Sequence, residues 1–276
     1  MTRFSTSNFG RNGRQTHGGA YWDQVIGGWE STPAQRLWRA HSDAVNNRLL
    51  RGWLAGGCGR VLKTDLFDEA VGCGLYPELT VCSAGVVGVD VSEVVVGAAS
   101  ERYPELDAHV ADVLALPFDD AGFDVVVSNS TLDHFDSYEK LRAAVDELAR
   151  CLRPGGKLLI TLDNRANPIV ALRTSVMFEP LHRLGVVPYF VGVTHGARGL
   201  SKLLRGAGFE VRETAALMHC PPQLAAKAAA RLGARRHAAP DAKQRYLRSV
   251  LRFEAMGGWP TRQLTAHFVA ALAIRR

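Results

Sequence analysis

Residues 86–92 combine an apolar run with a single acid and a helix-starting serine, in the sequence VVGVDVS. This pattern predicts a buried parallel strand that delivers the Asp90 carboxylate to the edge of a sheet. Ligands of doubly wound sheets bind at the carboxyl ends of strands, where an acid commonly accepts hydrogen bonds from ribose hydroxyls. Each such bond contributes roughly 1.5–3 kcal/mol. The alternative is a solvated aspartate that caps the following helix.

Three other predicted strands end in acidic or amide side chains. These side chains are Asp65 or Glu69 after the first strand, Asp112 after the third, and Ser128 and Asn129 at the end of the fourth. Because the carboxyl ends of parallel strands share one edge of a sheet, we expect these groups to converge with Asp90 on one ligand.

Two groups of glycines flank the first strand. Residues 67–74, FDEAVGCG, are predicted to form a turn in which Gly72 and Gly74 let the backbone approach a ligand closely. The cluster GGCG at residues 56–59 precedes the strand, whereas a loop that cradles a phosphate must follow one. We therefore interpret residues 56–59 as an ordinary turn.

The order of the predicted elements indicates the fold class. Strands are predicted at residues 61–66, 86–90, 109–112, 123–129, 157–162, 208–211 and 267–274. Helices alternate with them, including amphipathic helices at 93–102 and 138–152. This alternation predicts an α/β protein with a doubly wound, mostly parallel seven-stranded sheet and helices on both faces.

Segments outside the alternation predict the domain organisation. Residues 1–20 are predicted to be disordered, residues 21–56 to form a helical lid, and residues 57–276 to form the main domain. Within that domain, residues 167–197 are interpreted as an inserted substrate cap and residues 220–257 as an Arg-rich helical insertion. Insertions of this kind often carry substrate recognition.

Candidate substrate-binding side chains lie in the lid and the cap. They are Tyr21, Trp22, His41, Tyr189 and His195. The alternative is that these side chains only pack the helices against the sheet.

The composition narrows the kind of protein. The chain has 276 residues, of which 47% are hydrophobic and 22% charged, as in a globular protein. Its five cysteines form no CxxC pair, which favours reduced thiols in the cytoplasm and no metal site. We see no signal peptide and no apolar stretch that predicts a membrane span.

The net charge of +6 is unevenly distributed. Residues 61–196 carry 10 Lys and Arg against 20 Asp and Glu, whereas residues 197–276 carry 15 against 4. A basic carboxyl-terminal region could contact nucleic acid or an anionic substrate. The alternative is a set of solvated Arg-rich helix faces.

Several segments together resemble the class I S-adenosylmethionine-dependent methyltransferases of the small-molecule type, over roughly residues 60–165. The matching segments are VGVDVS at 87–92, ADVLALPF at 111–118, FDVVVSN at 123–129, LDHF at 132–135 and LRPGGKLLI at 152–160. The resemblance implies a Rossmann-like methyltransferase fold and S-adenosylmethionine as the cofactor. GAGFEV at 206–211 is a weaker match.

The resemblance also implies roles for individual residues. Asp90, with Val91 beside it, would bind the ribose diol of the cofactor, and Asp112 would bind the adenine amino group, with Val113 against the ring. Ser128 and Asn129 would hold the methionine end. The turn at Gly72 and Gly74 would lie under the amino acid portion.

The first loop departs from the family pattern, which has an acid, one residue and Gly-x-Gly-x-Gly directly after the first strand. Here Ala70 stands two residues before Gly72, and Tyr76 stands at the third glycine position. Either Asp65 takes the acid's role with an altered loop, or Glu69 takes it one residue out of register. We favour Asp65, because residues 63–65 fit the end of a strand.

In the predicted reaction the sulfonium already activates the methyl group, so positioning the acceptor can supply most of the rate enhancement. An oxygen or nitrogen acceptor can also need its proton removed. His134, just past the fourth strand, is the best-placed general base, and Asp133 could orient it. The alternative is that both residues only shape the loop.

Four functions are compatible with these features. The first is methyl transfer to a small hydrophobic metabolite, and the second is methylation of RNA, which the lack of an aromatic–basic platform disfavours. An NAD-dependent oxidoreductase would share the ribose-binding acid but would normally show GxGxxG in the first turn. The fourth is a non-catalytic binding protein of the same fold. A monomer and a homodimer both remain open.

Overall fold

The computed structural model describes residues 18–29, 32–174, 192–233 and 241–276. The helices are α1 (Gly19–Gly27), α2 (Pro33–Trp53), α3 (Phe67–Val71), α4 (Tyr76–Cys82), α5 (Glu93–Arg102), α6 (Tyr138–Cys151), α7 (Pro168–Arg173), α8 (Ala197–Gly206), α9 (Pro222–Gly233), α10 (Ala242–Leu251) and α11 (Arg262–Thr265). The strands are β1 (Cys58–Lys63), β2 (Ser83–Asp90), β3 (Asp107–Val110), β4 (Phe123–Asn129), β5 (Leu152–Asp163), β6 (Phe209–Leu217) and β7 (Phe268–Arg275). Short 3-10 helices span Leu132–His134 and Arg252–Gly258.

Within the described residues the strands form one seven-stranded sheet in the order β3-β2-β1-β4-β5-β7-β6. Strands β1 to β5 are parallel, and β7 runs antiparallel between β5 and β6. The chain reverses its direction of travel across the sheet between β1 and β4, which is where such sheets bind ligands. The predicted doubly wound α/β fold is confirmed.

The sheet is buried on both faces, as the β-branched central strands predict. In β4, Val126 packs in a cluster with Leu141 and Leu148 of α6, whereas Val125 packs on the opposite face with Val95 of α5. Helices on both faces therefore hold the strands rigidly, and the strand ends form a fixed edge for a site.

The segment predicted to form a helical lid contains α1 and α2, and it is called the lid below. Helix α2 begins with a capping box, in which the Thr32 side chain accepts from the Gln35 backbone and the Gln35 side chain accepts from the Thr32 backbone. Pro33 occupies the first turn, where its missing N–H costs nothing. Helix α1 begins at Gly19, two residues before the predicted start of the lid.

Strand β1 lies three residues earlier at each end than the predicted strand 61–66. Gly56 and Gly57 adopt positive φ angles of 103° and 90° and form the turn, so strand pairing begins at Cys58. Residues 64–66 consequently lie beyond the strand end, in the loop that faces the site.

Two further differences from the prediction bear on the site. Residues 67–71 form helix α3 where a turn was expected, and β3 ends at Val110, so that Asp112 lies in the loop beyond it. The early end of β3 lengthens the loop that carries Asp112 at the carboxyl edge of the sheet.

Parts of the predicted organisation fall outside the described residues. These are most of the segment 1–20, residues 175–191 of the cap, and residues 234–240 of the Arg-rich insertion. In the part of the chain that is described, no helix has both the length and the apolar character needed to cross a membrane.

Candidate functional site

A pocket of about 70 Å³ lies at the carboxyl edge of the sheet, beside the ends of β1, β2 and β4. Its lining residues are Trp22, Thr64, Asp65, Phe67, Asp90, Val91, Val95, Ala111, Asp112, Val113, Thr131, His134 and Phe135. The pocket thus brings together predicted site residues from the lid and from four different loops.

Asp90 is the last residue of β2 and is almost completely buried. Its carboxylate accepts one hydrogen bond from the backbone N–H of Leu66 at 3.0 Å and another from that of Ser92 at 2.9 Å. Burial raises the pKa of Asp90, while the two backbone donors oppose the shift. A carboxylate has about four acceptor positions, so positions remain for a vicinal diol.

Asp65 lies two residues beyond β1 and lines the pocket. Its Oδ1 atom accepts from the backbone N–H of Phe67 at 2.9 Å. Burial raises the pKa of Asp65 to about 8, and nearby Asp90 adds to the shift whereas Lys63 opposes it. A cationic ligand group beside Asp65 would favour the charged carboxylate.

Glu69 is fully buried beneath the glycine turn and does not line the pocket. One of its oxygens accepts from Lys63 Nζ at 2.7 Å, and the other accepts from the backbone N–H of Leu75 and Tyr76 at 2.8 and 3.1 Å. Of the two acids that the sequence offers for the first loop, Asp65 therefore reaches the pocket, and Glu69 braces the turn.

The glycines of this turn lie outside the pocket lining. Gly74 has a φ of +63°, and a Cβ atom there would lie 2.4 Å from the carboxyl carbon of Glu69. Gly72 has extended backbone, with a φ of −152°. Gly74 is thus required by the packing of the Glu69 carboxylate.

The adenine side of the predicted site is formed by residues after β2 and β3. Val91 and the buried Val113 line the pocket together with Asp112, whose Oδ1 accepts from the backbone N–H of Leu114 at 2.9 Å. Two apolar walls and one exposed carboxylate fit a flat ring that carries an amino group.

Ser128 and Asn129 do not line the pocket. Ser128 is buried, and its hydroxyl has no hydrogen-bond partner among the described residues, whereas Asn129 Oδ1 accepts from Thr161 Oγ1 at 2.9 Å. In their place, Thr131 after β4 and Thr64 after β1 line the pocket, with their hydroxyl oxygens 3.3 Å apart. The sequence analysis missed both threonines: Thr131 follows the predicted fourth strand closely, whereas Thr64 falls inside the predicted first strand and leaves it only because β1 ends at Lys63.

His134 lines the pocket at the end of the 3-10 helix that follows β4. Its Nε2 atom lies 4.0 Å from Asp133 Oδ1, beyond hydrogen-bond reach. Its ring contacts the Trp22 ring edge-to-face, with a centroid distance of 4.8 Å. The lid therefore packs directly on the candidate base.

Asp133 is buried, and its carboxylate is held by hydrogen bonds from neighbouring protein groups. Its carboxylate accepts from Ser130 Oγ at 3.1 Å and from the backbone N–H of Asp163 at 2.7 Å. Burial raises the pKa of Asp133 to about 7, and the Asp163 carboxylate adds to the shift. Ser130 has a φ of +52°, a strained conformation for a serine, at the point where the chain leaves β4.

A further charged cluster lies next to Asp133 and was not recognised from the sequence. Asp163 at the end of β5 forms an ion pair with Arg173 of α7, and its Oδ1 lies 3.6 Å from Nε2 of His267. Burial lowers the pKa of His267. Only the position of Asp163 at a strand end could have indicated this cluster, because His267 comes from a distant segment and no motif marks Arg173 as its partner.

Of the candidate substrate-binding residues in the described part of the chain, only Trp22 lines the pocket. Trp22 lines the pocket, and Tyr21 packs against it with ring centroids 5.3 Å apart. His195 stacks on Tyr138 at 4.9 Å and lies outside the pocket lining. Tyr189 lies outside the described residues.

His41 is enclosed in the helical layer, away from the pocket. It packs between Trp38 and Tyr246 of α10, and its ring nitrogens have no hydrogen-bond partner among the described residues. Burial lowers the pKa of His41 to about 4. Its position fits the alternative interpretation of a packing residue.

Helix α1 closes the pocket from outside. Gly19 packs so tightly on the backbone that a Cβ atom there would lie 2.5 Å from the carbonyl oxygen of Val91. The Ser92 hydroxyl donates to Asp23, also in α1. In the described residues, no group of three His, Cys, Asp or Glu side chains is arranged to hold a metal ion.

The sequence of this chain is similar to those of known methyltransferases. Residues 56–160 match the family model described as a methyltransferase domain. A probable S-adenosylmethionine-dependent methyltransferase of Mycolicibacterium smegmatis is 28% identical over 190 residues, which cover 67% of this chain and 64% of that protein. A probable tRNA methyltransferase 9B of Homo sapiens is 41% identical over 91 residues, which cover 33% of this chain and 20% of that protein. The chain thus spans less than two thirds of the length of these relatives.

Solved structures share the fold at low sequence identity. A geranyl diphosphate C-methyltransferase from Streptomyces coelicolor, in complex with Mg²⁺, geranyl diphosphate and S-adenosyl-L-homocysteine, has a TM-score of 0.54 at 15% identity and covers 84% of this chain and 77% of its own. A methyltransferase from Thermotoga maritima has a TM-score of 0.54 at 16% identity, with coverages of 88% and 94%.

The sheet order and the strand-edge pocket define a doubly wound domain of the nucleotide-binding type. The family model matched by residues 56–160 and the similar S-adenosylmethionine-dependent methyltransferases support the class I methyltransferase that the sequence resemblance predicts. The predicted class of enzyme and its cofactor are confirmed for this domain.

Proposed function

We propose that this protein transfers the methyl group of S-adenosylmethionine to an oxygen or nitrogen atom of a small molecule, with His134 as the general base. The observation that supports this most directly is that Asp90, at the carboxyl end of β2, and His134, just after the carboxyl end of β4, line one pocket. A ribose-binding carboxylate and a proton acceptor then face the same ligand. Imidazole is the side chain best suited to proton transfer near neutral pH.

The residues of the pocket suit the parts of the cofactor. Asp90 would bind the ribose diol, while Val91 and Val113 would enclose the adenine and Asp112 would bind its amino group. Asp65 would face the cationic amino acid end, which would favour its charged form. When bound, the cofactor supplies a methyl group already activated by the sulfonium, so the protein mainly has to position the acceptor.

The enclosure of the pocket favours a small acceptor. Trp22 and Phe67 cover it with ring centroids 6.1 Å apart, and its volume of about 70 Å³ is well below the roughly 300–1,000 Å³ typical of ligand sites. We infer that α1 moves to admit ligands and then excludes water around His134. Such a lid suits a molecule that can be enclosed entirely.

Calorimetry tests the cofactor part of the proposal. We expect S-adenosyl-L-homocysteine to bind and NAD not to bind. Incorporation of a labelled methyl group into a panel of small hydroxyl- and amine-bearing acceptors then tests the reaction. Binding of NAD without S-adenosyl-L-homocysteine would contradict the proposal.

RNA is a second candidate acceptor, supported by the match to a tRNA methyltransferase over a third of the chain. Lys243, Arg245 and Arg248 are exposed on α10, in the strongly basic carboxyl-terminal region. Labelled methyl transfer to tRNA, together with binding that weakens steeply with salt, would favour this acceptor over a small molecule.

A further inference from the structure

Two cysteines outside the proposed cofactor site lie against each other at the amino-terminal edge of the sheet, at the other end of the strands from the pocket. Sγ of Cys58, the first residue of β1, is 2.7 Å from Sγ of Cys82, the last residue of α4. In the β1–β2 register Cys58 pairs with Ser83, the residue after Cys82. Neighbouring strands lie about 4.8 Å apart, so the backbones run at a separation that suits a disulfide.

We propose that Cys58 and Cys82 form a reversible disulfide, a redox modification site whose oxidant is a low-molecular-weight disulfide such as oxidised glutathione. The other described cysteines offer no such pair: Cys151 and Cys220 are buried, and Cys73 is exposed in the loop after α3.

The surroundings of the pair determine which sulfur reacts first. Cys82 is partly exposed and lines a surface cavity of about 320 Å³, together with Leu50, Gly56 and Val81. Cys58 is buried behind it. A small disulfide entering this cavity therefore meets Cys82 before Cys58.

The reaction has two exchange steps. The Cys82 thiolate attacks one sulfur of oxidised glutathione, whose S–S bond breaks to release one glutathione thiol. The Cys58 thiolate then attacks Cys82 Sγ in the mixed disulfide and releases the second glutathione thiol. Each cysteine loses one proton and one electron. The two protons and two electrons convert one oxidised glutathione into two glutathione thiols.

The second step is the slow one. Burial raises the pKa of Cys58 to about 12, and the neighbouring Cys82 and Asp124 add to the shift, whereas Lys157 opposes it. Because only the thiolate attacks, ring closure accelerates as the pH rises toward that value.

The disulfide would enclose the first cofactor loop. Residues 58–82 include β1, α3, the turn at Gly74 and the pocket residue Asp65. Closing this segment restricts the unfolded chain and leaves the native arrangement, in which the sulfurs already touch, nearly unchanged. Oxidation is therefore expected to stabilise the loop that carries part of the cofactor site.

The test uses the 276-residue chain, first reduced and then incubated with oxidised glutathione at neutral and at alkaline pH. After alkylation of the remaining thiols, peptide mapping is expected to show a Cys58–Cys82 link that forms faster at alkaline pH. We expect the thermal midpoint to rise by several degrees and to return after dithiothreitol. Cys73→Ser is the matched control and should behave like the wild type, whereas Cys82→Ser should show neither the link nor the rise.

Three outcomes would overturn the inference. One is a mixed disulfide at Cys82 that persists without ring closure at alkaline pH. Another is a link that joins Cys73 to either cysteine. The third is a formed Cys58–Cys82 link that leaves the thermal midpoint unchanged or lowers it. None of these outcomes bears on the proposed methyl transfer, which is measured separately.

Discussion

The carboxylate of Asp90, at the end of β2, accepts a 3.0 Å hydrogen bond from the backbone N–H of Leu66, in the loop that follows β1. Its second oxygen accepts from the N–H of Ser92, where α5 begins. One strand-end carboxylate thus joins two loops of the pocket that it also lines. The order of these loops depends on this carboxylate, and in the proposed function the affinity for a ribose diol depends on it as well.

Replacement of Asp90 by asparagine tests this double role. We expect Asp90→Asn to weaken the binding of S-adenosyl-L-homocysteine by about 2 kcal/mol, or roughly thirty-fold, because a charge-assisted acceptor is lost. Isothermal titration calorimetry measures the change. Asp107→Asn removes an exposed carboxylate on β3 outside the pocket and should leave the affinity unchanged. Equal affinities for the Asp90 variant and the wild type would remove Asp90 from the ribose site.

The proposed base is tested by replacing His134 with glutamine. Turnover should fall by roughly 10²–10⁴-fold, the usual contribution of a positioned general base, while the cofactor affinity stays near that of the wild type. His109→Gln is the control, since His109 is an exposed histidine of β3 outside the pocket. A His134 variant with full turnover would rule out proton transfer by this residue.

The buried carboxyl of Asp133 predicts a pH dependence of stability. Burial raises its pKa to about 7, so the folded protein holds this proton more tightly than the unfolded chain, whose Asp pKa is about 3.9. The resulting stabilisation is complete below about pH 4 and is lost as the pH rises through about 7. Asp133→Asn still accepts from the Asp163 N–H but carries no charge.

The midpoint of thermal unfolding measured across this pH range checks the prediction. The difference in thermal midpoint between Asp133→Asn and the wild type should shift by a few degrees in favour of the variant as the pH rises from acidic to mildly alkaline values. Asp136→Asn, an exposed carboxylate beside Lys140, should follow the wild-type profile. If the thermal midpoints of Asp133→Asn and the wild type changed with pH in the same way, this carboxyl would not titrate as its burial predicts.

The glycine turn is tested by a pair of alanine substitutions. Gly74→Ala places a Cβ atom against the Glu69 carboxyl at a positive φ, and should destabilise the protein by about 1–3 kcal/mol or more. Gly97→Ala, at an exposed helical position with open space around it, should be neutral or slightly stabilising. Urea denaturation separates the two, and a neutral Gly74→Ala would contradict the packing argument.

The lid is tested at Trp22, whose ring covers the pocket and touches His134. We expect Trp22→Ala to accelerate the dissociation of S-adenosyl-L-homocysteine by about tenfold or more, because an apolar cover is lost. Stopped-flow fluorescence or surface plasmon resonance measures this rate. Trp259→Ala, at an exposed tryptophan, is the control and should have no effect.

The alternation of apolar strand-like runs with helical segments determines much of this fold from the sequence alone. β-Branched runs such as residues 123–129 predict buried parallel strands, and each strand must end at the same edge of the sheet. The placement of Asp90 and Asp112 near one another follows from that rule, because it depends only on local strand propensity and common topology. Both residues indeed line one pocket.

Packing decided the rest. Only the tertiary structure distinguishes Asp65, which reaches the pocket, from Glu69, which is paired with Lys63 beneath the glycine turn. It likewise encloses His41 among helices and brings His267 to Asp163. The contacts of His41 and His267 depend on how segments that are distant in the chain pack together, and no periodicity within a single segment encodes their relative positions.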